Sequence, residues 1–262
     1  MYAFEFVKPS SLADAMAALG SEGAQPISGG QTLIPTLKQR LNQPEALVSL
    51  TGIPDLVGVS RNGDQLVIGA ATTHAQVARD AAADYPGLAA LAGQIGDPSV
   101  RSRGTIGGSV ANNDPSACYP AGVLGSGATI VTNAREIAAD DYFQGMFATA
   151  LDEGEIITGG RFPIPEKSAY AKFLQPASRF ALTAVFVAKY ADGVRVAVTG
   201  ASEDGVFRWA EAESALSADF RPEAVAGLSV SADGMIGDLH GTPEYRAHLI
   251  GVMTRRAVAA AG

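Results

Sequence analysis

Gly104-Thr105-Ile106-Gly107-Gly108-Ser109-Val110-Ala111-Asn112-Asn113-Asp114-Pro115 is the stretch on which the reading of this chain turns. Its glycines stand beside hydroxyl, amide and carboxylate side chains, and large apolar groups are few. The segment therefore reads as a polar loop and not as core. Glycine lets a backbone come close to a ligand, and small polar side chains can hydrogen-bond what comes near. A solvated surface loop is the plainer alternative.

A second glycine segment lies upstream, Ser28-Gly29-Gly30-Gln31-Thr32. It falls between a strand expected over 25–27 and helical spacing over 32–41, so that consecutive amides and a helix start face one point, which is how a diphosphate is held. A tight turn that only joins strand to helix is the other reading. Pro35 suits a first helical turn, where its missing N–H has no partner to lose. With strands over 4–7 and 46–49 and a capped helix over 11–19, this makes a small β-α-β-α-β unit.

From Leu56 the pattern becomes β-rich, with strands expected over 66–68, 129–131 and 155–157 and helical segments over 73–83 and 120–124. Pro163 and Pro165 disfavour both helix and ladder and mark a boundary. Beyond it, 171–174, 181–190 and 194–199 read as a meander, its last pair turning at Asp192-Gly193, and 243–261 as a helix. The fold expected is α+β: a domain over 1–165 with α/β subdomains at about 1–55 and 56–165, then a smaller C-terminal domain over 168–262 with a three-stranded antiparallel sheet and helices.

Composition narrows the function. A chain of 262 residues, 47% hydrophobic and 18% charged, buries roughly three quarters of its unfolded surface and folds as one large or two modest domains. Its net charge of -8, from 27 acidic and 19 basic residues without a dense basic cluster, opposes nucleic-acid or anionic-membrane binding. Partners are expected to be small molecules or proteins. Cys118 is the single cysteine, so the chain carries neither an internal disulfide nor its own iron–sulfur cluster. No run reaches the roughly 18 apolar residues of a membrane span, and a cytoplasmic location is the expectation. His74, His240 and His248 lack metal-ligand spacing. Neither glycine segment is a Walker sequence or the dinucleotide fingerprint, Gly125-Ser126-Gly127 reads as a turn, and no nucleophile with a base is visible. No catalytic or metal-ligating residue is therefore assigned.

The two segments, in this order, resemble the FAD-binding medium subunits of the molybdenum hydroxylase family, the xanthine dehydrogenase and aerobic carbon monoxide dehydrogenase type. The first matches the family's AGGxS/T pattern and the second keeps its TIGG as Thr105 to Gly108. Ile68-Gly69-Ala70 followed by Thr72-Thr73, Asp97-Pro98, Tyr245-Arg246 and Arg255-Arg256-Ala257 are similar too. The resemblance covers essentially the whole chain. It implies a PCMH-type FAD fold and a non-covalent, extended FAD, with the diphosphate wrapped by Ile27, Ser28, Gly29, Gly30, Gln31, Thr32, Leu33 and Ile34. Thr105, Gly107, Gly108, Ser109, Asn112 and Asp114 would serve the ribityl and phosphate region, and Ala70, Thr73, Gly104, Ile157 and Lys172 further parts of the cofactor. Phe180, where the carbon monoxide dehydrogenase type has tyrosine, and Gln175, where the xanthine oxidase type has lysine, would approach the ring. Cys118 stands where relatives usually place an aspartate, and it reads either as a cofactor contact or as a small buried cysteine.

The resemblance also implies partners: a large subunit with molybdopterin, where substrate is hydroxylated, and a small subunit with two 2Fe–2S clusters, assembled as a dimer of heterotrimers. Electrons would pass from molybdenum through the clusters to FAD and on to an external acceptor. A free-standing FAD oxidoreductase, and an assembly module that has lost its flavin, are the competing readings.

Overall fold

The computed structural model describes residues 1–262. Its first layer runs β1 (Glu5–Val7), α1 (Leu12–Leu19), β2 (Ala24–Ile27), α2 (Leu33–Lys38) and β3 (Ala46–Ser49). The strands form a sheet in the order β1-β3-β2, with both pairings parallel. Parallel neighbours need crossover connections, and the two helices supply them. Ser11 starts α1 by accepting the Asp14 amide at 3.1 Å. Alternate residues of the central strand feed opposite faces: Val48 packs with Ala15 under α1, and Leu47 packs with Leu37 of α2 and Ile27.

The second layer holds β4 (Val59–Asn62), β5 (Gln65–Gly69), α3 (His74–Asp80), α4 (Pro86–Gly93), α5 (Pro98–Arg101), α6 (Ile106–Asn112) and α7 (Tyr119–Ser126). It continues through β6 (Thr129–Thr132), β7 (Glu136–Ala138), α8 (Ala139–Tyr142), the hairpin β8 (Phe143–Gly145) with β9 (Ala148–Thr149), and β10 (Ile157–Pro163). Five strands pair antiparallel in the order β4-β5-β10-β6-β7. The third layer comprises β11 (Lys167–Leu174), β12 (Ala181–Tyr190), β13 (Gly193–Ser202), β14 (Gly205–Arg208), α9 (Ala210–Ala218) and α10 (Pro243–Ala261).

The core crosses from the second layer into the third. Phe186, Ala184 and Ala188 of β12 join Tyr85, Leu88 and the residues of α7 in one cluster. Val185 and Val187, one step along the pleat, join Ile250 and Met253 of α10 on the other face. Because β12 is covered on both sides, its sequence is a continuous apolar run instead of an alternation. None of the helices is long and apolar enough to cross a membrane.

Three expectations are corrected. The C-terminal sheet has four strands, β11-β12-β13-β14, where three were expected; β14 spans four residues, too short to show a period. The polar loop over 104–115 contains a helix, α6, with Ile106 and Val110 buried inside it; paired glycines in its first turn mask the helical signal. The strand expected at 155–157 starts only at Ile157 and runs to Pro163, a proline at the strand's last position, beyond Arg161 where the pairing with β6 ends.

Candidate functional site

The two glycine segments meet face to face. Gly29 lies directly on Arg103 and Gly104, where an added Cβ would stand 2.5 Å from the Gly104 Cα and closer still to the Arg103 carbonyl oxygen. Only glycine permits that approach. Beside it, Thr105 Oγ1 donates to Ser28 Oγ at 2.8 Å and accepts the Gly108 amide at 3.3 Å, so one hydroxyl both ties the segments together and caps α6.

Their backbones differ in what is already bonded. In the second segment Ile106 donates to the Thr72 carbonyl at 3.1 Å, Gly107 to Ala70 at 2.8 Å and Ser109 to Thr105 at 3.1 Å. Gly107 packs so closely that a Cβ would lie 2.5 Å from the Ala70 methyl. In the first segment no backbone amide from Ser28 to Leu33 donates to any protein atom; the first to do so is Ile34, to the Gly30 carbonyl at 3.0 Å. Its carbonyls do accept: Gly30 and Thr32 from the Ile34 and Thr36 amides, Gly29 from the Gln31 side chain, and Thr32 again from the Thr36 hydroxyl. Gly30 turns the chain with a φ of 69°. A run of open amides at the start of α2 is an anion-binding concavity.

A cleft of about 660 Å3 opens from this run, past α6, to β11. Of the residues expected to bind a cofactor, Ile27, Ser28, Gly29, Gly30, Gln31, Thr32, Leu33, Ala70, Gly104, Thr105, Gly107, Gly108, Ser109, Asn112, Asp114, Cys118, Ile157, Lys172 and Phe180 all line it. Three do not. Ile34 packs beneath Gly30, Thr73 caps α3 by accepting the Gln76 amide at 3.3 Å, and Gln175 is turned inward. Its Oε1 accepts from the Ser178 amide at 2.6 Å and its Nε2 faces His240 at 3.2 Å.

Near α7 the wall is held by side-chain hydrogen bonds. Asp114 accepts the Ser116 amide at 2.8 Å, and Thr199 of β13 donates to the carbonyls of Pro115 and Ala117 at 3.0 and 2.8 Å. Cys118 follows, 5% exposed, and Lys172 Nζ donates to its Sγ at 3.4 Å and to the Gln94 carbonyl at 3.0 Å. Burial pushes the neighbouring Tyr170 and Tyr119 phenols well up from their ordinary value, and both hydroxyls lack partners.

Sequence reasoning missed His74, Glu155, Ser178 and Arg179, which also line the cleft. His74 is 4% exposed; desolvation, with the Arg101 charge second, lowers its pKa to about 4, so the imidazole is neutral near pH 7. Its ring lies 5.3 Å from that of Tyr119, and Gly104 sits against its Nε2. Glu155 is bonded by Arg135 at 3.1 Å, which holds its carboxyl down at about 2. Asn113, also unforeseen, ends α6 in the left-handed region at φ 43° and donates to the Gly145 and Ala148 carbonyls at 2.8 Å. A left-handed Asn after a run of small residues is the signal that could have placed this helix end.

Open amides at one end, close-packed glycines along the floor and a mixed polar and apolar wall define a scaffold for an extended, phosphate-bearing cofactor. The sequence pattern of one family, described as the FAD binding domain in molybdopterin dehydrogenase, matches residues 2–165, and the chain belongs to that family. It is 38% identical over 97% of its length, and 95% of the relative's, to the carbon monoxide dehydrogenase medium chain of Afipia carboxidovorans. It is 33% identical to the nicotine 6-hydroxylase medium subunit of Paenarthrobacter nicotinovorans, covering 99% of this chain and 98% of that one. Among solved structures, reconstituted CO dehydrogenase from Oligotropha carboxidovorans superposes with a TM-score of 0.88 at 34% identity, over 99% of this chain and 98% of the other.

Proposed function

We propose that this chain is the FAD-binding, electron-transferring medium subunit of a molybdenum-containing hydroxylase or dehydrogenase complex. The observation that carries the reading is the unbroken run of open amides from Ser28 to Leu33 on the wall of the cleft. Such a run fits the FAD diphosphate, with Ser28 Oγ and Thr32 Oγ1 as further neutral partners. When bound, FAD supplies the electron acceptance and release.

The chain's own residues position and insulate. Gly29 and Gly107 let the floor pack closely on Arg103–Gly104 and on Ala70, and the Thr105–Ser28 hydroxyl pair locks the two halves of the cradle. Neutral His74 and the Glu155 carboxylate, already matched by Arg135, add no unbalanced charge. Phe180, 48% exposed, offers an aromatic face at the third-layer end. Residues 1–165 are taken as the FAD-binding domain and 168–262 as a C-terminal domain that closes the cleft through Lys172, Arg179 and Phe180.

The partners in this proposal are a molybdopterin-bearing large subunit and a small subunit with 2Fe–2S clusters, two such heterotrimers forming the whole. The resemblance and the relatives' designation as medium chains support it. The test is to purify the chain alone and with its genomic neighbours, record the visible spectrum and identify acid-released flavin. One FAD per chain is the expected result. A chain that stays colourless after incubation with FAD, even with its partners bound, overturns the proposal.

A further inference from the structure

Resting on that reading, we infer that Lys172 sets the redox balance of the bound FAD by presenting to the cleft a positive charge that forms no ion pair with any carboxylate of the chain. Lys172 lies on β11, part-buried, and lines the cleft. Its Nζ donates to one carbonyl, that of Gln94, and to one thiol, that of Cys118. Every ion pair of the chain lies elsewhere. Two carboxylates stand on the cleft wall: Glu155 is held by Arg135, and Asp114 accepts the Ser116 amide at 2.8 Å; neither pairs with Lys172. Next to Cys118 stand Tyr119 and Tyr170, both buried, and the two phenols are pushed further from ionisation by that burial. No carboxylate of this chain therefore forms an ion pair with the lysine.

A charge in such a wall acts more strongly than the same charge in water. Two electrons and one proton added to FAD leave a net negative charge on the ring, whereas the oxidised ring is neutral. In the complex the electrons come from the reduced 2Fe–2S clusters; in a test they come from dithionite. Lys172 thus favours one of the two redox states, and only such a differential interaction shifts an equilibrium. Cys118 is the second half of the device: its Sγ is 3.4 Å from Nζ, so a carboxylate at the same position would form an ion pair and remove the charge from the cleft.

The experiment loads the full chain with FAD and measures the midpoint potential by reduction with dithionite beside a reference dye. Lys172→Met is expected to weaken the preference for reduced FAD at least tenfold, about 30 mV for a two-electron couple, and Lys172→Arg to restore most of it. Cys118→Asp shifts the potential the same way, and Cys118→Ser leaves it in place. Lys172→Met holding one FAD per chain at the wild-type potential overturns the inference. Should that variant hold no FAD, Cys118→Asp decides: a lowered potential supports the inference and an unchanged one overturns it. A wild-type chain that takes up no FAD overturns the functional reading along with the inference, whereas loaded variants at the wild-type potential overturn the inference alone.

Discussion

The two glycine segments look alike in sequence and do opposite work in the fold. Ser28 to Leu33 keeps its amides open and its chain on the cleft wall. In the other, the amides of Ile106 to Ser109 are already bonded to Thr72, Ala70 and Thr105, and Thr105, Ile106 and Val110 are buried. In the proposed function one is the cradle and the other is the strut against which the cradle is pressed. Glycine serves both, in the first by the turn at Gly30 and in the second by removing the Cβ that would collide with Ala70 or His74. A glycine motif therefore does not name its own role; the fate of the neighbouring amides does.

The contrast can be broken most forcefully at the contact itself. Gly29→Val drives a branched side chain into the Arg103–Gly104 backbone, which has no rotamer to yield; it should lower stability by about 3 kcal/mol and abolish FAD uptake, read by urea denaturation and flavin content. The strut is sensitive to acid through His74. Its folded pKa of about 4 lies below the ordinary 6.5, so the unfolded chain binds more protons between those values. His74 therefore contributes full stability above pH 6.5, and that stability is lost as the pH falls toward 4. Wild type should lose about 3 kcal/mol more than His74→Phe across that window, measured by denaturation at fixed pH steps.

Gly107→Ala, which meets the Ala70 methyl, should cost about 2 kcal/mol while leaving the open amides of the cradle in place, so that the chain that folds still takes up FAD. The smallest effect is expected at the joint. Thr105→Val loses the bond to Ser28 and the cap on Gly108, together about 1 kcal/mol, with FAD binding weakened because the halves separate more easily. Equal loss of FAD uptake in Gly107→Ala and Gly29→Val would erase the distinction between strut and cradle.

Much of the cradle was legible in the chain. The strand before Ser28, the helix after Thr32 and the parallel unit around them follow from period and caps, and the helix over 243–261 is found with those bounds. The strut was not, because Gly107 and Gly108 in the first turn of α6 read as loop, and its burial depends on Ala70 and His74 from other segments. α4, Pro-Gly-Leu-Ala-Ala-Leu-Ala-Gly, escaped notice for another reason: it is apolar on every side and shows no amphipathic period. At the site, local motifs exposed the floor of the cleft, while His74, Glu155 and Arg179 reach it only through the packing of remote strands and helices. Gln175 was misplaced because its inward bonds to Ser178 and His240 belong to a loop conformation that no spacing encodes.

Amide hydrogen exchange with and without FAD decides whether the amides from Ser28 to Leu33 take the cofactor's diphosphate. Fast exchange across Ser28 to Leu33 is expected in the free chain, with strong protection there on adding FAD, and protection at Ile106 to Ser109 that is present from the start and changes little. Protection gained mainly at Ile106 to Ser109, with Ser28 to Leu33 still exchanging freely in the FAD-loaded chain, would contradict it.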